Sequence, residues 1–584
     1  MSIAVKPAFA GQHIIVSRVK SMVSRLALGI TAFTGALGMP HAQAQQSSEP
    51  GRPNIVLIVA DDLGYSDIGA FGGEIETPNL DALIASGIQL TNFYASPACS
   101  PTRSMLMSGT DSHLAGLGNM AEELLEEQTG KPGYEGYLNH RVVAFPQYLR
   151  DAGYHTYMAG KWHLGGAPDQ LPASRGFEKS LALMGGGASH FDQGGSWVKK
   201  PKASYYDGMM PFTLPENFYS TDFYTDKMIE FMSNDKDGSP FFAYLAYSAP
   251  HWPLQAPHSI IDKYRGKYDG GYEAVRKARI ERMKQLGLLG PGEPTVSVNT
   301  NWPKWSDLKP EVKKRESRLM ETYAAMVDRL DYNIGRVVSY LKETGKYDNT
   351  IFVFISDNGA EGNDPDQVTG NKAWLDKNFD NSIENIGNRT SFVGYGPAWG
   401  SVSSTPFRMF KGFTYEGGIH VPAFVVAPGR IKPGRSANVM SVMDIAPTLL
   451  DYAKVVLPGN EYQGKKVEPI KGISQVGAFS SAGDDRRGEN NFLGWELFGR
   501  TAVRQGDWKL VWSNKPFGAA NWELFDLARD PAETNDMSAT NADKLRAMME
   551  TWKAYKNDNG VIWNETLADK IHYSNDDRHF ASDN

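Results

Sequence analysis

The segment Asn54–Ala60 (NIVLIVA) is an unbroken apolar run, rich in β-branched residues, that stops abruptly at Asp61-Asp62. A strand solvated on one face alternates apolar and polar residues. A run without alternation belongs to a strand covered on both faces, the usual condition inside a parallel sheet. The same form recurs at 241–247, 351–355 and Ala423–Val426, each leading into polar or Gly/Pro-containing sequence. Helical patterns lie between the runs. Over 319–341, apolar residues at 319, 323, 326, 327, 330, 334, 337, 338 and 341 make one stripe on a long helix. Strands alternating with helices predict a large, mostly parallel α/β sheet covered by helices on both faces, with ligands bound beyond the carboxyl ends of its strands.

The last quarter has a different character. Short strand-like runs at 501–505, 509–513 and 522–526, separated by turn residues, predict a smaller antiparallel sheet, followed by a helix over 542–555. The expected organisation is a leader over 1–44, a catalytic α/β domain over 45–460 and a smaller C-terminal α+β domain over 461–584. Two stretches, 180–220 and 361–405, are rich in Gly, Asn and aromatics and read as long irregular insertions. Of the aromatics in and beside the first, Trp197, Tyr205, Tyr206, Phe212, Tyr219, Phe223 and Tyr224 would either line a pocket for an apolar alcohol or form the insertion's own core.

Residues 1–44 carry Lys6, Arg18, Lys20 and Arg25 and no acidic residue, then the apolar stretch 26–39, then Ala42-Gln43-Ala44. That is the form of a cleaved secretory signal, too short for a spanning helix. The chain is therefore expected in the periplasm or secreted, handled by the export machinery, with no stable membrane span after cleavage. Loss of those four charges takes the net charge from −7 to −11. Such a chain has no electrostatic support for binding nucleic acid, and a site for an anion must concentrate its cations locally. An exported chain with one cysteine, Cys99, forms no internal disulfide.

Cys99 opens the segment Cys99-Ser100-Pro101-Thr102-Arg103. Ser100 suits a helix cap and Pro101 a first turn, so a helix is expected from Thr102 onward. Cys99 would then sit just before exposed N–H groups that favour anions, with Arg103 one turn in. Asp61-Asp62 and Asp357-Asn358 each follow a predicted strand. Such carboxylates cap turns, but two such pairs at one sheet edge would also hold a hard cation such as Ca²⁺ or Mg²⁺ better than zinc.

The run from Cys99 through Ser104-Met105-Leu106-Met107-Ser108-Gly109 resembles the first signature of the formylglycine-dependent sulfatases, with Thr102 in place of the commoner Ser. The segment from Gly153 to His163, ending Gly160-Lys161-Trp162-His163, resembles the second. The likeness runs from Asn54 to the C-terminal sheet and is nearest to bacterial arylsulfatases. It implies an alkaline-phosphatase-like fold and hydrolysis of small-molecule sulfate monoesters, aryl sulfates first. It also implies a maturase that converts Cys99 to formylglycine, and one Ca²⁺ held by Asp61, Asp62, Asp357 and Asn358. Arg103 belongs to the signature. Lys161 and Lys411 would bind sulfate oxygens, His163 would orient the hydrated aldehyde and take its second proton, and His251 would protonate the leaving oxygen. Lys161 and His163 lie two apart, so an extended backbone would aim both to one face. His113, His155, His190, His258 and His420 match no such position and read as structural. Two other readings stand beside this one. A phosphate or phosphonate ester hydrolase commonly calls for a second metal ion, and no second set of His/Asp ligands is visible in the sequence. A catalytically silent module binding sulfated glycans would leave Cys99 unconverted.

Overall fold

The computed structural model describes residues 51–290, 292, 302–367, 370–457, 459–480, 487–488 and 491–570. The leader over 1–44 lies outside these residues. Among them, no helix is long and apolar enough to cross a membrane.

Asn54–Ala60 is the central strand of a ten-stranded sheet. It pairs in parallel with Phe241–Ala246 on one side and Thr350–Ser356 on the other. His155–Lys161 and then Lys179–Leu183 extend the parallel core beyond Phe241–Ala246. The lack of alternation is explained by the two layers. Val56, Ile58 and Ala60 enter one hydrophobic core, and Ile55, Leu57 and Val59 enter the other. Side chains alternate between faces, and here both faces are dry. Helices Pro310–Glu343 and Ser220–Ser233 cover the first face; Cys99–Ser108, Phe145–Asp151 and Ile445–Tyr452 cover the second.

The run Ala423–Val426 is a strand of this sheet but lies antiparallel to Thr350–Ser356. Apolar runs fix burial, whereas direction follows from the path of the chain. Here the chain arrives from a segment that stays at the carboxyl edge, where Gly359 N–H donates to Gly418 O and Lys411 N–H to Ala360 O. The same reversal places that segment beside the ends of the parallel strands.

Neither insertion is irregular throughout. The first contributes Lys179–Leu183, the hairpin Gly194–Trp197/Lys200–Lys202, and the hairpin Tyr205–Asp207/Met210–Phe212 that finishes one edge of the main sheet. The second holds helices Asn371–Asn378 and Gly396–Ser403. Strands this short lack a period long enough to read, and pairing alone makes them strands. Tyr205, Tyr219 and Tyr224 are buried, with Phe212 and Phe223 packed partly buried against the core, whereas Trp197 and Tyr206 line a cavity.

The C-terminal sheet has four antiparallel strands, Phe492–Leu497, Arg500–Gln505, Trp508–Trp512 and Trp522–Asp526. Helix Ala542–Asn559 covers one face through Met548, Trp552 and Tyr555. From the other face Trp495, Ala502, Val511 and Phe525 join the main core.

Candidate active site

Helix Cys99–Ser108 begins one turn earlier than its sequence suggests. Ala98 is the N-cap, and the Ser100 hydroxyl is buried with no partner among the described residues instead of capping. Thr102 does the fastening: its Oγ1 accepts from Ser96 N at 2.8 Å and donates to Ser96 O at 3.2 Å. Either Ser or Thr supplies that hydroxyl, which explains why Thr102 is compatible with the turn. The helix is buried along its whole length, so Cys99 is fixed at the floor of a cleft.

Asp61 directly follows the central strand, and Asp62 turns the chain with φ 67°. Lys161, at the end of its own strand, places Nζ 2.8 and 2.7 Å from the two Asp61 carboxylate oxygens. Lys411 places Nζ 2.9 Å from Asp62 Oδ1 and 2.7 Å from Glu361 Oε2. Arg103 grips Asp357 Oδ2 with Nε at 2.9 Å and Nη2 at 2.7 Å, and donates to Lys161 O at 2.9 Å. It thereby ties the helix to two strand ends. Asn358 Nδ2 donates to Asp62 Oδ1 at 2.7 Å, and Cys99 Sγ lies 3.8 Å from the same oxygen. His251 directs Nδ1 to Trp252 O at 2.5 Å and has Nε2 3.5 Å from Asp62 Oδ2.

Asp61, Asp62, Asp357 and Cys99 bring one ligand atom each within 4.8 Å of one another, all buried. Burial and the neighbouring Asp357 push Asp61 up to about 8 against the pull of the Lys161 ammonium. Asp62 is held below its ordinary range: burial opposes this, but Lys411 and His251 outweigh it. Burial also pushes the Cys99 thiol well up. Two features fit a hard divalent cation here. Asn358 Oδ1 is a buried acceptor without a hydrogen-bond partner among the described residues. Moreover, with all four ionised, as a bound cation would favour, the carboxylates of Asp61, Asp62, Asp357 and Glu361 outnumber the cations of Arg103, Lys161 and Lys411 by one. Adding a divalent cation makes the cluster net positive, as an anionic ligand requires.

His163 departs from the sequence expectation. Its strand ends at Lys161, and His163 adopts φ 56°, so the two side chains do not share an extended face. Lys161 goes to Asp61, while His163 Nε2 meets Glu122 Oε1 at 2.8 Å. Cys99, His163, His251 and Lys411 nevertheless line one cavity of about 450 Å³, walled partly by Tyr137, Met184, Trp197, Tyr206 and Trp252.

Glu361 and Glu122 were not legible as site residues. Glu361 follows Asp357-Asn358 by three positions, a faint signal, and Glu122 lies in a short turn with none. Asp62, His251 and Glu361 form a second group of metal-binding type. Lys411 Nζ, however, sits on the carboxylates of two of the three, so a lysine takes the position of a second cation. The histidines read as structural are anchored elsewhere, except that His190 Nε2 donates to His251 O at 2.9 Å and buttresses it. His113 bridges Asp111 and Glu496, His155 bridges Glu178 and Asp237, and His420 pairs with Glu416. His258 lies near Arg318.

The Sulfatase family profile matches residues 53–455, about two thirds of the chain. This chain belongs to the sulfatase family. A second profile, N-sulphoglucosamine sulphohydrolase, C-terminal, matches 407–556. The sulfatase is 44% identical over 532 residues to an uncharacterized sulfatase of Schizosaccharomyces pombe, covering 88% of this chain and 96% of the relative. It is 39% identical over 452 residues to an arylsulfatase of Klebsiella aerogenes, covering 76% and 95%. Its fold matches the crystal structure of Ps i-CgsB in complex with k-i-k-neocarrahexaose, with TM-score 0.62 at 26% identity over 87% of this chain and 93% of that one. The sulfatase is thus a sulfuric ester hydrolase on an alkaline-phosphatase-like fold.

Proposed function

We propose that this sulfatase hydrolyses aryl sulfate monoesters, with formylglycine made from Cys99 and one Ca²⁺ held by Asp61, Asp62, Asp357 and Asn358. The carrying observation is the buried cluster in which three carboxylates, the Asn358 carbonyl (without a partner among the described residues) and Cys99 converge beside Lys161 and Lys411. An all-oxygen donor set from protein side chains suits calcium. Formylglycine, as its hydrate, supplies a nucleophile whose second hydroxyl offers a route to release sulfate.

The chain's own groups do the rest. Lys161 and Lys411 are preorganised cations for sulfate oxygens, in a water-poor site where such charges count most. Arg103 holds Asp357 and the Lys161 strand in place. His251 keeps Nδ1–H on Trp252 O, which leaves Nε2 to carry a proton to the departing alcohol oxygen. His163 takes a proton at residue 99. Aromatic walls at Tyr137, Trp197, Tyr206 and Trp252 support an aryl alcohol, as does the likeness to the Klebsiella arylsulfatase. Conversion of residue 99 calls for a maturase, and the leader over 1–44 for export to the periplasm or beyond.

Two measurements test this. Mass spectrometry of the peptide containing residue 99 should show the aldehyde. A panel of aryl sulfates, sugar sulfates and phosphate esters should give its highest kcat/KM with aryl sulfates. An unmodified cysteine in active enzyme would refute the formylglycine reading, and a phosphate or sugar ester at the head of the panel would refute the substrate class.

A further inference from the structure

The turn Ala121–Glu123 has no counterpart in the sequence motifs, yet it is fastened to the floor of the site. Met120 packs against Ala98, the residue before Cys99, together with Leu497 and Phe498 of the C-terminal sheet. Asn119 locks the turn from within: its Oδ1 accepts from Met120 N, and its Nδ2 donates to Glu123 O at 2.8 Å and to Gln128 Oε1 at 2.9 Å. Glu122 therefore stands at a fixed place relative to residue 99, and its Oε1 lies 2.8 Å from His163 Nε2.

Imidazole in contact with a carboxylate must offer it an N–H, because two acceptors repel. The Nε2 proton is thus committed to Glu122. The other ring nitrogen, Nδ1, is buried and has no partner among the described residues. His163 is held from the remaining side by Gly186, where an added Cβ would stand 2.7 Å from Cε1 and 3.0 Å from Nε2. Its backbone is pinned in the left-handed region at φ 56°. Burial lowers the affinity of this ring for a second proton, as do the charges of Lys161 and Arg103, against the pull of Glu122. Neutral His163 consequently presents a bare nitrogen.

We propose that Glu122 is a positioning residue that fixes His163, a wall of the cavity that also exposes residue 99, in its Nε2–H tautomer, with Nδ1 left as the proton acceptor. When Nδ1 takes that proton the ring becomes an imidazolium, and the Glu122 carboxylate stabilises it through the same hydrogen bond. The arrangement repeats the logic of a carboxylate–histidine pair, in which the acid orients the base and is not itself protonated. It rests on the sulfate-ester reading only for what the proton is used for.

The test has two arms. Protein labelled with ¹⁵N-histidine and carrying unconverted Cys99 needs no turnover. The His163 resonances, assigned by their loss in His163→Asn, should show a protonated Nε2 and an unprotonated Nδ1. Glu122→Ala should move both nitrogens toward a tautomer mixture, whereas Glu122→Gln, whose amide oxygen still accepts from Nε2–H, should retain the pattern. Unchanged shifts in Glu122→Ala overturn the proposal. In converted enzyme, Glu122→Ala should lower kcat by about 10²-fold or more with little change in KM, and Glu122→Gln should recover part of the loss. Gly186→Ala, which leaves Glu122 in place but crowds the ring, should fall between them. A KM effect with kcat intact would make Glu122 a substrate-binding residue and overturn the proposal. Absence of sulfate-ester turnover in the converted parent enzyme would instead sink the functional reading and leave the tautomer result standing.

Discussion

His113 gives this protein a pH-dependent seam between its main body and its C-terminal layer. The ring is buried, with Nδ1 2.8 Å from Asp111 Oδ1 and Nε2 3.3 Å from Glu496 Oε2. Tyr555, on the C-terminal helix, donates to Asp111 Oδ2 at 3.0 Å, and Gly499 N–H to Glu496 Oε1 at 2.9 Å. Burial disfavours the imidazolium, but the two carboxylates outweigh it and raise His113 from 6.5 to about 9. A pKa raised by folding adds stability that is complete below the unfolded value and is lost as pH rises through the folded one. The window is therefore about 6.5 to 9, and the difference corresponds to about 3 kcal/mol. His113→Gln removes the titration while keeping a polar side chain. Guanidinium unfolding, followed by tryptophan fluorescence at intervals from pH 6 to pH 10, should show the variant weaker than the parent at pH 6 by about 3 kcal/mol more than at pH 10. Comparing the two proteins cancels the groups that do not touch His113, so the difference reports His113 together with its partners Asp111 and Glu496. If transitions are irreversible, unfolding rates at fixed denaturant serve the same comparison. Parallel curves for parent and variant across the whole range would refute a charged His113 in the folded protein.

Cys99→Ala should abolish sulfate-ester turnover while leaving the circular dichroism spectrum unchanged, since one small side chain is lost from a helix start; measurable turnover by the purified variant would exclude residue 99 as nucleophile. Asn358→Ala removes the cluster's buried carbonyl, which has no partner among the described residues, and should reduce bound calcium by metal analysis and lower kcat/KM by about 10-fold to 100-fold; full calcium occupancy with normal kinetics would remove Asn358 from the ligand set. His251→Ala should slow esters of basic alcohols far more than nitrophenyl sulfate, because general acid help is worth about 10² to 10⁴ and grows with leaving-group basicity. Equal slopes of log rate against leaving-group pKa in single-turnover measurements would make His251 a binding or structural residue.

What the sequence determined by itself was whatever local pattern and residue chemistry encode. Burial on both faces is written into residues 55–60, every one of which is apolar and enters one layer or the other, and the long stripe on Pro310–Glu343 is written at helical period. Cys99 and Arg103, and Lys161 and His163, stood out by likeness to two sulfatase signatures, and the two Asp-containing pairs because each follows a strand pattern; the structure brings Cys99, Arg103, Lys161 and the Asp pairs into one buried cluster. Tertiary structure alone decided the rest. The direction of Ala423–Val426 depends on a chain path that no short apolar run records. The start of the Cys99 helix depends on Thr102 reaching back to Ser96, so Ser100 is free of the capping role its type suggests. Glu361 on Lys411 and Glu122 on His163 are contacts between residues 50 and 41 positions apart. A lone glutamate in a turn carries no local mark of its partner. Only the packing of Met120 against Ala98 and the C-terminal sheet brings Glu122 to the imidazole, since electrostatic pairing at hydrogen-bond distance is a property of where side chains meet in space, and folding, not sequence spacing, sets that distance.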